Sequence, residues 1–172
     1  MTQPTMPAAV NTNGTTLVLW VPAMANPAVP TKTELTAGTV LDLSCYLTGD
    51  GLATETTENA IEDPRLCSKQ IFEARGDFSD TLELTYVFNP LESADDEARV
   101  TLRPGTRGFV VLRWAVDSEI PVDTGDVVDV YPVEMGQQRK QTPTRNGVHR
   151  ITQKPFVTGP VRRDVAVVAG TP

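Results

Sequence analysis

Clustered carboxylates are the groups in this sequence best suited to hold a metal ion or to exchange protons with a substrate. The two clusters are Glu58, Glu62 and Asp63, and Asp95, Asp96 and Glu97. Divalent cations prefer such oxygen ligands, but neither cluster has the spacing of a calcium-binding loop. Solvent-exposed and helix-capping roles are favoured, so we predict no metal site. A catalytic carboxylate pair that meets only in three dimensions stays open as an alternative.

Nucleophiles and general bases are few. His149 is the only histidine and lies in a predicted strand, where a hydrogen-bonded or surface role is favoured over catalysis. Cys45 lies in an apolar segment and is predicted to be buried. A bridge to Cys67 is possible in principle, but nothing resembles a secretion signal, so both thiols are predicted to be reduced. Serine elbows, phosphate loops and dinucleotide fingerprints are absent. We predict a protein that is not an enzyme and has no cofactor.

The charge is acidic overall and unevenly divided. The net charge of −7 disfavours a general nucleic-acid binder, because such proteins neutralise phosphates with Lys and Arg. Residues 1–126 contain 8 basic and 19 acidic residues, whereas residues 127–172 contain 7 and 3. This asymmetry indicates either an interaction tail or two faces of opposite potential, or else a chance drift in solvent-exposed charge along the chain. The 172 residues predict one domain, and no run approaches the roughly 20 apolar residues of a membrane helix.

The elements that would position these groups are mostly strands. The predicted strands are Thr15–Val21, Val40–Leu47, Lys69–Arg75, Thr81–Phe88, Gly108–Val116, Val127–Met135, Val148–Lys154 and Val161–Ala169. Strict alternation places Leu82 and Leu84 on an apolar face and Glu83 on a polar face. Trp20 and Trp114 lie in apolar strands and are predicted to pack in the core. Short strands with one helix indicate a β-sandwich or a partly closed barrel.

The remaining segments are predicted to be connections and one helix. The polar, acidic segment Leu52–Leu66 shows no sustained period and is predicted to be a long loop, with a second loop at Gly136–Gly147. Ser93 is predicted to cap a helix of about two to three turns, which Pro104 and Gly105 terminate.

Ordered segments along most of the chain resemble one known family. They are Tyr46–Gly51, Ile61–Cys67, Leu82–Val87, Asp129–Val133, Gly136–Lys140, Arg150–Lys154 and Phe156–Gly159. From about Thr15 to Ala169, the sequence resembles the tail tube proteins of long, non-contractile-tailed phages (siphophages) that infect actinobacteria. The resemblance implies two β-sheets packed as a sandwich or barrel, with one short flanking helix. It also implies a long, hairpin-like stacking loop at 49–67, an N-terminal arm at 1–13 and a C-terminal end at 170–172.

The resemblance implies a structural virion protein that assembles in the host bacterial cytoplasm. Copies would form hexameric rings that stack into a hollow tube, and double-stranded DNA would pass through the lumen without specific binding. The implied partners are further copies of the chain, the tape measure protein, the tail terminator and the distal tail proteins, with no membrane insertion. A net acidic wall suits that passage, because like charge discourages DNA from sticking.

Candidate contact residues follow from the resemblance and from the charge pattern, because complementary fields fix the register between copies. They are Asp50, Glu55, Glu58, Glu62, Asp63, Arg65, Arg139 and Lys140. Glu83, on the polar face of its strand, is predicted to face the lumen. The alternatives are an inner tube or tail-terminator protein of a related tail or injection system, a small β-barrel that binds oligonucleotides or sugars, and an enzyme with dispersed carboxylates.

Overall fold

The computed structural model describes residues 6–170, which form mainly β-strands. In chain order the elements are β1 (Thr16–Val21), α1 (Lys32–Leu35), β2 (Leu41–Asp42), β3 (Leu47–Asp63), β4 (Phe72–Val87), a 3-10 turn (Ser93–Asp95), α2 (Glu97–Thr101), β5 (Arg107–Trp114), β6 (Val127–Met135), β7 (Arg139–Lys140), β8 (Arg150–Gln153), β9 (Pro155–Val157) and β10 (Arg162–Ala166). The predicted mainly β class with two antiparallel sheets is confirmed. Within the described residues, no helix has the length and apolar character needed to cross a membrane.

The chain divides into two compact units built from interleaved segments. The described residues of the first unit are 6–45, 107–132 and 159–170, and those of the second are 46–106 and 133–158. A single domain over 1–172 stays a prediction. Residues 6–13 of the predicted N-terminal arm are exposed and contain neither helix nor strand. Residues 1–5 of that arm, and 171–172 of the predicted C-terminal end, lie outside the described residues.

The first unit is an antiparallel sheet with strand order β2-β1-β5-β6-β10. One face of this sheet forms an apolar core that includes Leu19, Val111 and Val130, and Leu35 of α1 packs against it. A capping box begins α1: the Thr31 hydroxyl accepts from the Glu34 N–H, and the Glu34 carboxylate accepts from the Thr31 N–H. Our sequence prediction missed this helix, although Thr-x-x-Glu is a capping-box signal. There are therefore two short helices where one was predicted.

Two predictions of burial in the first unit are wrong. The strand predicted over Val40–Leu47 reduces to β2, because the chain turns after Asp42, and Cys45 is exposed. Trp20 is 1% exposed, as predicted for the core, but Trp114 at the end of β5 is 45% exposed. Its indole N–H donates to the Asp129 carboxylate at 2.8 Å, so the polar edge of the ring is satisfied at the surface.

The second unit contains a four-stranded antiparallel sheet with strand order β3-β4-β8-β7. The last residues of β6 pair with β9 in the same unit. Leu82, Leu84 and Tyr86 of β4 are buried, which confirms the apolar face predicted by alternation. The predicted helix is shorter than two to three turns: α2 has five residues and begins after Asp96 rather than Ser93. Asp96 does not cap the helix, because its carboxylate accepts from the Arg99 guanidinium.

Candidate assembly interface

A long hairpin contains the segment Leu52–Leu66, which was predicted to be a loop, and the stacking loop that the resemblance implies at 49–67 lies within this hairpin. β3 pairs with β4 from Leu47 opposite Tyr86 to Asp63 opposite Phe72, and only the connection that follows Asp63 lacks regular structure. The loop prediction is wrong because β3 is polar on both faces beyond Leu52, so it lacks the alternation that identifies a half-buried strand. Its strand character comes from backbone pairing with β4.

The outer part of this hairpin pairs with no other described strand. β8 pairs with β4 only from Leu84 to Val87. Residues 55–81, which we call the hairpin arm, therefore form a two-stranded ribbon that is exposed along almost its whole length. An isolated two-stranded hairpin is at best marginally stable in water. An arm of this kind is typical of a segment that docks against a partner.

The two faces of the hairpin arm differ in character. Ile61, Phe72 and Ala74 share one face, since Ile61 lies opposite Ala74 and Phe72 lies two residues before Ala74. Ile61 is 58% exposed and Phe72 is 54% exposed. Contiguous exposed apolar side chains mark an interaction surface more often than isolated ones do. These three side chains form the apolar patch that the arm presents, bordered on the same face by Asp63, which lies opposite Phe72.

The opposite face of the hairpin arm carries charge. Glu62 lies directly opposite Glu73, an arrangement of like charges that destabilises a strand pair. Nearby, Arg75 forms an ion pair with Glu58, and its guanidinium lies 5.2 Å from the centre of the Phe78 ring. The like-charged pair is a local cost that a basic partner surface would relieve.

A β-bulge separates the two halves of the arm. The register shifts by one residue between Glu58 and Ala60, so that Gly76 and Asp77 lie opposite Asn59. A Cβ atom at Gly76 would lie 2.7 Å from the Asn59 carbonyl oxygen, so glycine is required by close approach. The Asn59 amide donates to the Asp77 carboxylate at 2.9 Å and holds the bulge.

The predicted contact residues fall into three places. Asp50, Glu55, Glu58, Glu62 and Asp63 lie on β3, Arg65 lies in the connection after it, and Arg139 and Lys140 form β7. β3 and β7 are the two outer strands of the sheet, so the acidic residues of β3 and the basic residues of β7 lie on opposite edges and are not brought together within one copy. Arg65 is the exception, because it lies on the acidic side, beside Asp63.

Contacts within the copy tether some of these side chains. Arg65 forms an ion pair with Asp63 at 2.7 Å, and Lys140 lies 5.4 Å from the centre of the Phe88 ring. Asp50 lies 3.8 Å from Arg150. Its pKa is lowered, chiefly by the hydrogen bond with the Thr48 side chain and less by the Arg150 charge. Asp50, Asp63, Arg65 and Lys140 are exposed, so they are available to a partner.

Glu83 is exposed on the polar face of β4, as alternation predicts. A shallow depression of about 420 Å³ lies around it, lined by Ala53, Glu55, Thr81, Leu82, Glu83 and Lys154. Farther along the same face, Thr85 and Thr152 are buried and share a hydrogen bond at 3.1 Å. The polar face thus carries charge of both signs beside a buried threonine pair.

A buried polar network lies on the opposite face of the same sheet. The Tyr86 hydroxyl donates to the Gln153 side-chain carbonyl at 2.8 Å and accepts from the Gln138 amide at 3.1 Å. The Gln153 amide donates to the Leu102 and Gly136 carbonyl oxygens at 2.7 and 2.8 Å. The network therefore ties the end of α2 to β4 and β8. Sequence reasoning missed it, because isolated Gln residues give no periodic signal.

We expect alkaline pH to destabilise the second unit through Tyr86. Burial raises the pKa of its phenol above the ordinary value of about 10. The unfolded chain loses this proton near pH 10 while the folded chain keeps it. The free energy of unfolding is therefore constant with respect to this group below about pH 10 and falls as the pH rises above it.

Urea unfolding between pH 8 and 11 measures this dependence. Tyr86→Phe should remove part of the decline above about pH 10. Tyr46→Phe is the comparison variant: the pKa of that phenol is also raised, chiefly by burial, but Tyr46 is only half-buried and lies outside the network, so this variant should remove less of the decline. A decline of equal steepness in the wild-type chain and in Tyr86→Phe would contradict the prediction.

The residues suited to catalysis do not converge. Cys45 and Cys67 are exposed and unpaired. His149 is exposed, with its ring centre 6.0 Å from that of Phe88. Across residues 6–170, no group of three or more His, Cys, Asp or Glu side chains is placed to hold a metal ion. The features that stand out are an open sheet and an exposed arm, which are features of an assembling protein.

A family model for phage tail tube proteins matches residues 3–170 of the sequence. The chain therefore belongs to the phage tail tube protein family. It is a structural component of the phage tail, without an enzymatic role, and tail tube proteins self-assemble into the tube.

Solved structures share the fold. A chain of the SPP1 tail tube, determined by solid-state NMR and cryo-EM, superposes with a TM-score of 0.55 at 12% identity, covering 89% of this chain and 79% of that one. A chain of the six-fold symmetrised cryo-EM baseplate of the anti-feeding prophage gives 0.54 at 14% identity, covering 92% and 96%. No curated protein sequence matches significantly.

Proposed function

We propose that this chain forms hexameric rings that stack into the tail tube of a siphophage infecting an actinobacterium. The observation that carries the proposal is an open four-stranded sheet that continues into an exposed two-stranded arm. The likeness to the SPP1 tail tube supports a long non-contractile tail. The six-fold symmetry of the anti-feeding prophage baseplate supports rings of six. The actinobacterial host rests on the sequence resemblance.

The unpaired edge strands of the sheet explain why copies of the chain join into a ring. Unpaired strand edges are normally a liability, because they recruit other strands. A ring in which the sheet of each copy joins the next leaves no edge open. Head-to-tail contacts of this type close into rings when the rotation allows, and contacts that do not close generate filaments. One chain can therefore build both the ring and the stack.

The hairpin arm and the chain ends contact the next ring. The arm carries the apolar patch of Ile61, Phe72 and Ala74, which a second ring would bury. The contacts predicted for Glu58, Glu62, Asp63 and Arg65 belong to this surface. The N-terminal arm at 1–13 and the end at 170–172 reach adjacent copies.

The polar face of β4, with Glu83, lines the lumen. DNA passes along this face without specific binding, because the acidic net charge of −7 repels phosphate. The tape measure protein, tail terminator and distal tail proteins are the further partners, and assembly takes place in the host cytoplasm. The structural similarity to a baseplate chain supports a second candidate function, that of an inner tube or terminator protein of a related injection system.

Shortening the hairpin arm tests the stacking contact. We expect replacement of residues 59–77 by Asn-Gly, between the paired Glu58 and Phe78, to leave rings intact and to abolish tubes. A two-residue Asn-Gly turn suits a hairpin, and the removed residues contribute no buried side chain. Negative-stain electron microscopy separates rings from tubes, and circular dichroism checks folding.

A variant that keeps the arm but removes its apolar patch is a second, milder test of the stacking contact. Ile61→Thr with Phe72→Thr should keep the hairpin, since Thr favours strands, and should shorten tubes. Tubes of normal length from the Asn-Gly variant would contradict a role of the arm in stacking. Failure of the wild-type chain to form rings or tubes at any concentration would contradict the proposed function itself.

A further inference from the structure

We propose that neighbouring copies join by pairing the acidic edge strand β3 of one copy with the basic edge strand β7 of the next, and that charge prevents like edges from pairing. This inference rests on the proposed function, in which copies join sheet to sheet. It adds which edges meet, in which orientation, and what selects them.

The two edges carry opposite charge without exception. β3 contains five acidic residues and no basic residue. β7, the other edge strand, consists of Arg139 and Lys140, and residues 136–158 around it contain five basic residues and no acidic residue. The acidic set is Asp50, Glu55, Glu58, Glu62 and Asp63, and the basic set is Arg139, Lys140, Arg145, Arg150 and Lys154. Single-sign edges of this kind do more than keep strands soluble, because mixed charges would serve that purpose equally well.

The strand directions permit head-to-tail pairing of these edges. Every neighbouring pair in β3-β4-β8-β7 is antiparallel. Four alternating strands leave β7 antiparallel to β3, so a second copy in the same orientation places its β3 antiparallel to the first copy's β7. The sheet then continues from copy to copy without a reversal. This is the heterologous contact that a ring requires.

Like edges could also pair, and charge opposes that outcome. Two β3 edges or two β7 edges could meet about a two-fold axis and form a closed dimer. That dimer would set five acidic residues against five, or Arg139 and Lys140 against their copies. Like charges placed directly opposite destabilise strand pairs, and repulsion against the wrong partner is a common source of specificity.

Asp50 and Glu55 are the acidic residues best placed for this contact. Leu52 pairs with Leu84, and Leu84 pairs with Gln153, so these three residues form one row across the sheet. In the neighbouring row, Thr152 of β8 pairs with Arg139 of β7. Asp50 and Glu55 flank the Leu52 row and are exposed. The other three acidic residues of β3 lie in the hairpin arm, beyond the level at which β8 and β7 pair.

Charge reversal with complementation tests the inference. One variant carries Asp50→Lys and Glu55→Lys, and the other carries Arg139→Glu and Lys140→Glu. Each variant alone opposes like charges at every interface, so we expect at least about a tenfold rise in the concentration needed for assembly. An equimolar mixture opposes unlike charges at every interface of an alternating ring, so assembly should return to near the wild-type concentration.

Light scattering after size-exclusion chromatography and negative-stain microscopy measure assembly. The control is Glu92→Lys with Glu119→Lys, which changes the net charge of the chain as much as the β3 variant does, but at exposed positions outside the strands. This control should assemble as the wild type does. A misfolded variant would not be rescued by mixing. If the wild-type chain forms rings, two results would overturn the inference. One is assembly of either reversed variant at the wild-type concentration, and the other is a mixture that stays monomeric. A wild-type chain that never assembles would overturn the proposed function.

Discussion

Replacing Arg113 with methionine is expected to lower the free energy of unfolding by about 3 kcal/mol, since removing one partner of a buried ion pair strands the other. Arg113 on β5 is 1% exposed, and its guanidinium donates to the Asp126 carboxylate at 2.7 Å and to the Asp117 carbonyl oxygen at 2.9 Å. It also donates to the Pro121 carbonyl oxygen at 3.3 Å. This one side chain thus organises the connection from β5 to β6.

Urea unfolding at a concentration below that of assembly measures the loss. Arg113→Lys keeps the charge but not the planar fork, so an intermediate loss is expected. Arg145→Met, at an exposed position, should cost less than about 0.5 kcal/mol. A loss below about 1 kcal/mol in Arg113→Met would contradict the role assigned to the ion pair.

Replacing Gln153 with leucine is expected to cost about 2–4 kcal/mol, because the variant keeps the volume but leaves buried polar groups without partners. The Gly136 carbonyl oxygen loses the donor at 2.8 Å, and the Tyr86 hydroxyl loses its acceptor. The Leu102 carbonyl oxygen keeps one donor, the Gln138 amide at 3.0 Å. Because β8 lies beside the edge strand β7, the same variant should also raise the concentration needed for assembly.

Gln141→Leu is the control that makes the same substitution at an exposed position. Gln141 also donates a side-chain hydrogen bond, to the Thr152 hydroxyl at 2.6 Å, but Gln141 is exposed, and the buried Thr152 hydroxyl keeps its hydrogen bond with the Thr85 hydroxyl at 3.1 Å. Its free energy of unfolding should change by less than about 1 kcal/mol, measured by urea unfolding. Equal losses in the two variants would show that the buried network contributes nothing specific.

Strands with an apolar pattern could be predicted from the sequence. β1 is buried along its whole length apart from its first residue, and β4 alternates between buried Leu82 and exposed Glu83. In both cases the polarity of each residue predicts whether its side chain is buried or exposed. The prediction for β6 matched its observed bounds, Val127–Met135, for the same reason. Pro132, which cannot donate a backbone hydrogen bond, lies between the segments of β6 that pair with β10 and with β9.

Elements defined by a partner could not be predicted in this way. β3 was predicted to be a loop because its Thr, Glu and Asn residues are polar on both faces, and its strand character comes from the β4 backbone. Trp114 was predicted to be buried because its neighbours are apolar, yet its position at the end of β5 exposes it to solvent. The short helix α1 needed only its capping box to be recognised.

By itself, the sequence determined that the protein is a mainly β, non-catalytic, acidic chain of the tail tube type, with its negative and positive residues in different segments. Composition, alternation and motif order carry that information locally. Only the tertiary structure decided where those charges lie. Asp50 and Arg139 are far apart in the sequence, and pairing through β4 and β8 makes their strands the two outer edges of one sheet. That non-local pairing turns a drift of charge along the chain into two complementary edges.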